Sequence, residues 1–194
     1  MRVGLYFGSF NPIHHGHLII ANYILQHADL DQIWFVVSPQ NPLKPQASLL
    51  NEYQRLHLVR LAVAGESRLK ATDIEFKLPK PSYTVDTLAY LQEKYPAEEF
   101  SIIMGSDSFQ NLPKWKNSDW LLRHFTVYVY RRPEHEKLQV YPAAKNVQIM
   151  DAPLLPISST DIRQKISAGQ SARYLLPDAV LEEIEKSGYY RNIR

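Results

Sequence analysis

The chain opens on a short apolar run that stops at a glycine turn and passes directly into a helical pattern, an order that leaves few folds open. Residues 2–7 (RVGLYF) have the composition of a buried strand, and Gly8-Ser9-Phe10-Asn11-Pro12 is a turn sequence. From His15 to His27 the apolar residues Leu18, Ile19, Ala21, Ile24 and Leu25 recur at helical spacing. The alternation continues along the chain. Strand runs fall at 32–38, near 72–76, and at 99–104, 125–131 and 146–150. Helix patterns fall at 51–64, with Asn51 placed to cap, at 83–95, in a short helix closing over 121–124, and at 159–167 and 178–187, with Gly188 suited to end the last one. Residues 39–48 carry three prolines and read as a loop. Strands alternating with helices predict an α/β fold: a doubly wound, mainly parallel sheet with helices on both faces. Residues 1–194 are expected to form a single domain, with 158–194 as its C-terminal helical portion.

Composition removes several functions. Lys and Arg total 22 against 20 Asp and Glu, a net charge of +2. That balance does not suit a protein that holds nucleic acid chiefly by counterion release, so a positive field has to be local. The chain has no cysteine, which excludes disulfides, thiolate metal sites and a cysteine nucleophile. No N-terminal stretch has the form of a secretory signal, and the longest mostly apolar stretch, 18–25, is far shorter than a membrane span. A cytoplasmic protein without nucleic-acid or membrane partners is expected, and a homo-oligomer stays open.

In doubly wound sheets ligands sit beyond the C-terminal ends of the strands, which directs attention to the residues after Phe7, Ser38, Met104 and Tyr130. The first such segment is Gly8-Ser9-Phe10-Asn11-Pro12-Ile13-His14-His15-Gly16-His17. A turn feeding a helix N-terminus attracts anions through its backbone N–H groups. His14 and His17, three apart, share a face if both lie on the first helical turn, and Gly16 between them allows close approach. Two imidazole donors at a helix start suit a phosphate on which charge develops. The pair also resembles half of a metal site, but the H-E-x-x-H spacing is missing and no cysteine completes a zinc shell. There is no G-x-x-x-x-G-K-[ST] and no G-x-G-x-x-G, so neither a P-loop nor a dehydrogenase-type dinucleotide site is supported.

A second motif, Ile157-Ser158-Ser159-Thr160-Asp161-Ile162-Arg163, opens a late helix. Ser158 with Asp161 has the spacing of a capping box. The hydroxyls, the N–H groups of the helix start and Arg163 one turn in also make an anion site fit for a polyphosphate. In the middle of the chain, Tyr83 and Trp115 offer aromatic faces to a planar ring, although Tyr83 also fits a hydrophobic staple and Trp115 a core position. Thr84, at a helix start, has a backbone N–H to offer a carboxylate. Asp107, shortly after a strand that ends at Gly105, suits a ribose hydroxyl or an N-cap.

G-S-F-x-P-x-H-x-G-H early and I-S-S-T-x-x-R late together resemble the signature pair of the nucleotidylyltransferase superfamily, and the histidine element is similar to the H-I-G-H of class I aminoacyl-tRNA synthetases. Ser82-Tyr83-Thr84-Val85-Asp86-Thr87-Leu88, Gly105-Ser106-Asp107 with Leu112 and Trp115, and Tyr174-Leu175-Leu176-Pro177 with Val180 and Gly188-Tyr189 resemble segments of the bacterial nicotinate-nucleotide adenylyltransferase family. The likeness runs from Gly8 to Tyr189. It implies a Rossmann-like nucleotidylyltransferase that joins ATP to nicotinate mononucleotide, giving nicotinic acid adenine dinucleotide and pyrophosphate.

The implied catalytic residues are His14, His17 and Arg163. Gly8, Ser9, Phe10, His17, Gly105, Asp107, Ile157, Ser158, Ser159, Thr160 and Arg163 are implied to bind ATP, and Lys44, Tyr83, Thr84, Trp115 and Arg132 the second substrate. Mg²⁺ is implied to arrive through the phosphates, with no protein side chain as ligand. Asn11 stands where many superfamily members carry Asp, which removes one carboxylate for positioning the metal. The alternatives are an adenylyltransferase acting on nicotinamide mononucleotide or on another phosphorylated substrate such as phosphopantetheine, and a non-catalytic nucleotide-binding module. Such a module would not need both His14 and His17.

Overall fold

The computed structural model describes residues 1–39, 49–131, 146–153 and 155–191. Strands β1 (Arg2–Gly8), β2 (Gln32–Val37), β3 (Leu69–Thr72), β4 (Glu99–Gly105), β5 (Thr126–Tyr130) and β6 (Val147–Met150) form one sheet in the order β3-β2-β1-β4-β5-β6. Every neighbouring pair is parallel. The order reverses between β1 and β4, and in open α/β sheets ligands bind at such a reversal, outside the carboxyl ends of the strands.

Alternation along β1 divides the core. Val3 and Leu5 point into one apolar layer, shared with Val85, Leu88 and Leu91 of α3 (Thr84–Lys94), Phe109 of α4 (Ser106–Gln110) and Leu121 and Leu122 of α5 (Ser118–His124). Tyr6 points into the other, where α1 (His15–His27), α2 (Glu52–Val63), α6 (Ser159–Ser167) and α7 (Asp178–Ser187) bury Ile24, Val59, Ile162 and Ile184. Helices thus cover both faces, as expected from strands flanked by apolar helical stripes.

The local signals agree with this arrangement. The Asn51 side chain accepts from the Tyr53 N–H and caps α2. Gly188 ends α7 with φ of 68°. One expected strand shifts. The segment near 72–76 pairs with β2 only over Leu69–Thr72, and Ile74–Lys77 forms a 3₁₀ turn. That turn carries the Glu75 side chain inward to the Ser82 and Thr87 hydroxyls, an interaction outside the reach of strand periodicity. The short helix α4 starts at once after β4, so its N-cap is Gly105 and not Asp107.

Candidate active site at the ends of β1 and β4

Gly8 ends β1, and Ser9 and Phe10 form the turn that follows. Phe10 has a left-handed backbone, with φ of 44°, and its side chain is buried edge-on against Tyr6 and Phe35. Only its backbone therefore faces outward, and the strained conformation is held by that aromatic packing. His14 follows as the N-cap of α1, and His17 lies in the first turn. Their rings stack with centroids 3.7 Å apart. The backbone N–H of His14 donates to His17 Nδ1 at 3.3 Å. In neutral imidazole one nitrogen accepts and the other carries the proton, so this contact assigns the His17 proton to Nε2. The Phe10 ring meets His17 edge-on at 5.2 Å and fixes its plane. Gly16 is needed for the stack: a Cβ there would lie 3.0 Å from His14 Cε1 and Nδ1.

The late motif arrives at the same turn. Ser159 Oγ donates to the Pro12 carbonyl at 2.9 Å, and Arg163 Nη1 donates to the Asn11 carbonyl at 2.8 Å. Arg163 Nη2 lies 3.4 Å from Thr160 Oγ1. Burial holds the Arg163 pKa below its ordinary value. Ser158 caps α6 by accepting from the Asp161 N–H, so the capping reading of Ser158 is realised with Asp161 as a backbone partner. Ile157 packs on the core beside the start of α1, its Cβ near the position a Gly16 Cβ would take. The two motifs, separated by about 150 positions in the chain, therefore share one turn: Ser159 and Arg163 bond its carbonyls, and it leads into the stacked His14 and His17.

Gly105 ends β4 and stands as the N-cap of α4, and Asp107 is in the first turn of that helix. Tyr83 is the N-cap of α3 and Thr84 its first residue. Tyr83 is half-exposed, with Lys116 Nζ over its ring at 5.0 Å, and Lys116 in turn pairs with Asp86 at 2.9 Å. Trp115 packs part of its surface on the core and lines an open hollow with Trp120, Arg123 and His124. Lys44 and Arg132 lie outside the described residues. Among the described residues there is no group of three or more His, Asp or Glu side chains arranged to hold a metal.

Residues 5–165 match the cytidylyltransferase-like family. The chain is 50% identical to a probable nicotinate-nucleotide adenylyltransferase of Flavobacterium johnsoniae, covering 98% of this chain and 100% of the relative. It is 39% identical to one of Bacteroides thetaiotaomicron, covering 96% and 92%. The chain belongs to the nicotinate-nucleotide adenylyltransferase family. In fold it is similar to a Plasmodium falciparum nicotinic acid mononucleotide adenylyltransferase complexed with NaAD, with a TM-score of 0.83 at 18% identity over 100% of this chain and 99% of that one.

Three residues that sequence reasoning passed over bond the segments of this candidate site. Arg55 of α2 is fully buried and donates to the Ser9 carbonyl at 2.6 Å. Its signal was present: position 55 lies on the apolar stripe of α2 with Leu58 and Val59, where a cation is out of place. Tyr190, beyond α7, donates from its hydroxyl to Asn11 Oδ1 at 2.8 Å, and the Leu50 N–H donates to the same oxygen at 3.3 Å. Burial raises the Tyr190 pKa, which keeps it a donor. Asn11 is thus a buried tie between the turn and the C-terminal region, and its amide oxygen is engaged there. Glu75 accepts from Ser82 Oγ at 2.8 Å and Thr87 Oγ1 at 2.9 Å, on either side of Tyr83 and Thr84.

Proposed function

We infer that the chain transfers the adenylyl group of ATP to nicotinate mononucleotide. A phosphate oxygen of the mononucleotide attacks the α-phosphorus, the bond from that phosphorus to the α–β bridging oxygen breaks, and pyrophosphate leaves. The attacking phosphate is already ionised, so no side-chain nucleophile is needed. Catalysis then rests on alignment and on stabilising charge at the α-phosphate.

The observation that carries this reading is the His14–His17 pair. The His17 Nδ1 contact commits its Nε2–H as a donor, held in one orientation by the stack and by Phe10. We assign that donor to the α-phosphate oxygens and His14 to the attacking or bridging phosphate. A donor preorganised at developing charge contributes about 3–4 kcal/mol to the barrier reduction. Arg163 and the start of α6 at Ser158, Ser159 and Thr160 are assigned to the leaving pyrophosphate. The contacts of Arg163 with Asn11 and Thr160 use only part of its donor fork, so it serves the turn and the phosphates together. Gly8, Ser9, Phe10 and Ile157 shape the nucleotide wall, and Gly105 and Asp107 face the ribose. Mg²⁺ enters as part of the substrate Mg-ATP.

Tyr83 and Trp115 are assigned to the pyridine ring and Thr84 to its carboxylate, where the positive end of the eleven-residue helix α3 favours an acid over an amide. Lys44 and Arg132 complete this proposal on sequence grounds. The core shared by α6, α7 and the sheet supports one domain of 1–194 with 158–194 as its helical end. A cytoplasmic setting suits this substrate pair, and no described helix is long and apolar enough to cross a membrane.

The test is direct. Purified protein is incubated with Mg-ATP and either nicotinate or nicotinamide mononucleotide, and pyrophosphate and dinucleotide are measured. The acid is expected to be turned over faster than the amide; release of pyrophosphate with neither overturns the reading.

A further inference from the structure

We propose that Arg55 is a positioning residue for the triphosphate site, acting through the backbone of the β1 turn; the inference rests on the adenylyl-transfer reading above. Its guanidinium is fully buried and donates four hydrogen bonds, all to backbone carbonyls: Ser9 at 2.6 Å, Ser38 at 2.9 Å, Leu50 at 2.9 Å and Pro39 at 3.1 Å. Among the described residues none of its hydrogen bonds goes to a carboxylate. A buried cation so placed is costly for stability, and burial lowers its pKa. An apolar side chain on this stripe of α2 would avoid that cost but would leave four carbonyls without this donor, so the use of the cation is to fix the direction of those carbonyls.

The use follows from peptide geometry. In a trans peptide the C=O and the next N–H point in opposite directions. Arg55 draws the Ser9 carbonyl inward, and this turns the Phe10 N–H away from Arg55. Two further carbonyls of the turn are also engaged by side chains, Asn11 by Arg163 and Pro12 by Ser159, although at Asn11 the next residue is a proline with no N–H to turn outward. Three carbonyl dipoles that would repel a polyanion are thereby engaged by side chains, and the Phe10 N–H is left facing the opposite way from its engaged carbonyl partner. Arg55 also bonds Ser38 and Pro39, which follow β2, so one planar fork ties together the C-terminal ends of two adjacent strands. Its charge, which Glu52 offsets in part through space without a hydrogen bond, lies behind the turn on the side of the Ser9 carbonyl. A lysine can supply the charge but not the fork.

The experiment compares wild type with Arg55→Lys and Arg55→Met. Affinity for a non-hydrolysable Mg-ATP analogue is measured by calorimetry, kcat and the KM of each substrate by steady-state kinetics, and folding by thermal unfolding. Both variants are expected to bind the analogue at least about tenfold more weakly and to lose about tenfold in kcat, with the mononucleotide KM changed far less. Wild-type analogue affinity in a folded variant, or equal rises in both KM values, overturns the proposal. The Phe10 amide resonance of the wild-type protein gives a reading that does not depend on any variant folding. It is expected to shift when the analogue binds, and an unmoved resonance overturns the proposal. If wild type itself turns over neither mononucleotide, the fault lies with the adenylyl-transfer reading, whatever the variants do.

Discussion

At the β1 turn each functional group is tied to several others, whereas at the start of α3 the proposed ligand contacts are half-exposed and lightly held. His14 and His17 stack on one another, Arg163 and Ser159 bond the turn from α6, Arg55 bonds it from α2, and Tyr190 bonds it from beyond α7. Tyr83 has a lysine over its ring, and Trp115 borders an open hollow. The difference follows the chemistry assigned to each end. Charge that develops during a reaction is stabilised only by donors already in place, because reorganising them costs what they return. A flat ring is recognised by area and tolerates adjustment.

The largest expected effect tests the rigid end. His17→Ala is expected to lower kcat by about 10²-fold or more with KM nearly unchanged, measured in steady state. A variant that keeps its kcat and loses only affinity would make His17 a binding residue, and the contrast between the two ends would fail. Gly16→Ala probes the same end more gently. The added methyl lies 3.0 Å from the His14 ring and has to displace it. A fall of about tenfold in kcat/KM is expected, with Tm little changed, because a small misplacement of an aligned group is costly for rate. Unchanged kinetics would mean that the imidazole stack has slack.

Most of the frame was legible in the sequence because periodicity reports burial, and burial defines strands and helices. His15–His27, Ser159–Ser167 and Asp178–Ser187 fall where the pattern places them. The placement of His14 and His17 at the start of α1, and of Arg163 early in α6, was legible because short-range spacing and helix-start signals carry it. Arg55, Tyr190 and Glu75 were not. Each acts through contacts made across the chain, Tyr190 with Asn11 179 positions away and Arg55 with Ser9 46 positions away. Such partners have no local spacing to betray them. The only local sign is a charged residue on an apolar stripe, which marks an anomaly without naming its partner. Phe10 shows a mixed case: motif matching selects it as a nucleotide contact, and the structure buries its ring in the core, so the proposed contact falls to its backbone.

Trp115→Ala sharpens the comparison from the other end. Loss of a stacking face is expected to raise the mononucleotide KM about fivefold and the ATP KM much less. Equal rises, together with a drop in Tm, would assign Trp115 to the core that it partly joins.

The smallest effect concerns Glu75, which supports the Tyr83–Thr84 turn from beneath. Burial raises its pKa above the ordinary 4.5 and outweighs the lowering by the Ser82 and Thr87 hydroxyls. The folded chain therefore holds this proton more tightly than the unfolded chain. The group's contribution to stability is complete below 4.5 and is lost as pH rises through the folded-state pKa. Asp31, Glu52 and Glu66 behave oppositely. Hydrogen bonds from Arg2, Lys80 and Arg68 lower their pKa values, so their contributions are lost on acidification, in a lower pH window. Glu75→Gln carries no proton to exchange, and its amide can still accept from one hydroxyl and donate to the other. Tm is therefore expected to rise on the order of a few °C at pH 8 and less at pH 5, read by thermal unfolding at the two values. If the variant is instead destabilised equally at both, the carboxylate's hydrogen bonds outweigh the cost of its buried charge. The start of α3 would then be held as firmly as the β1 turn.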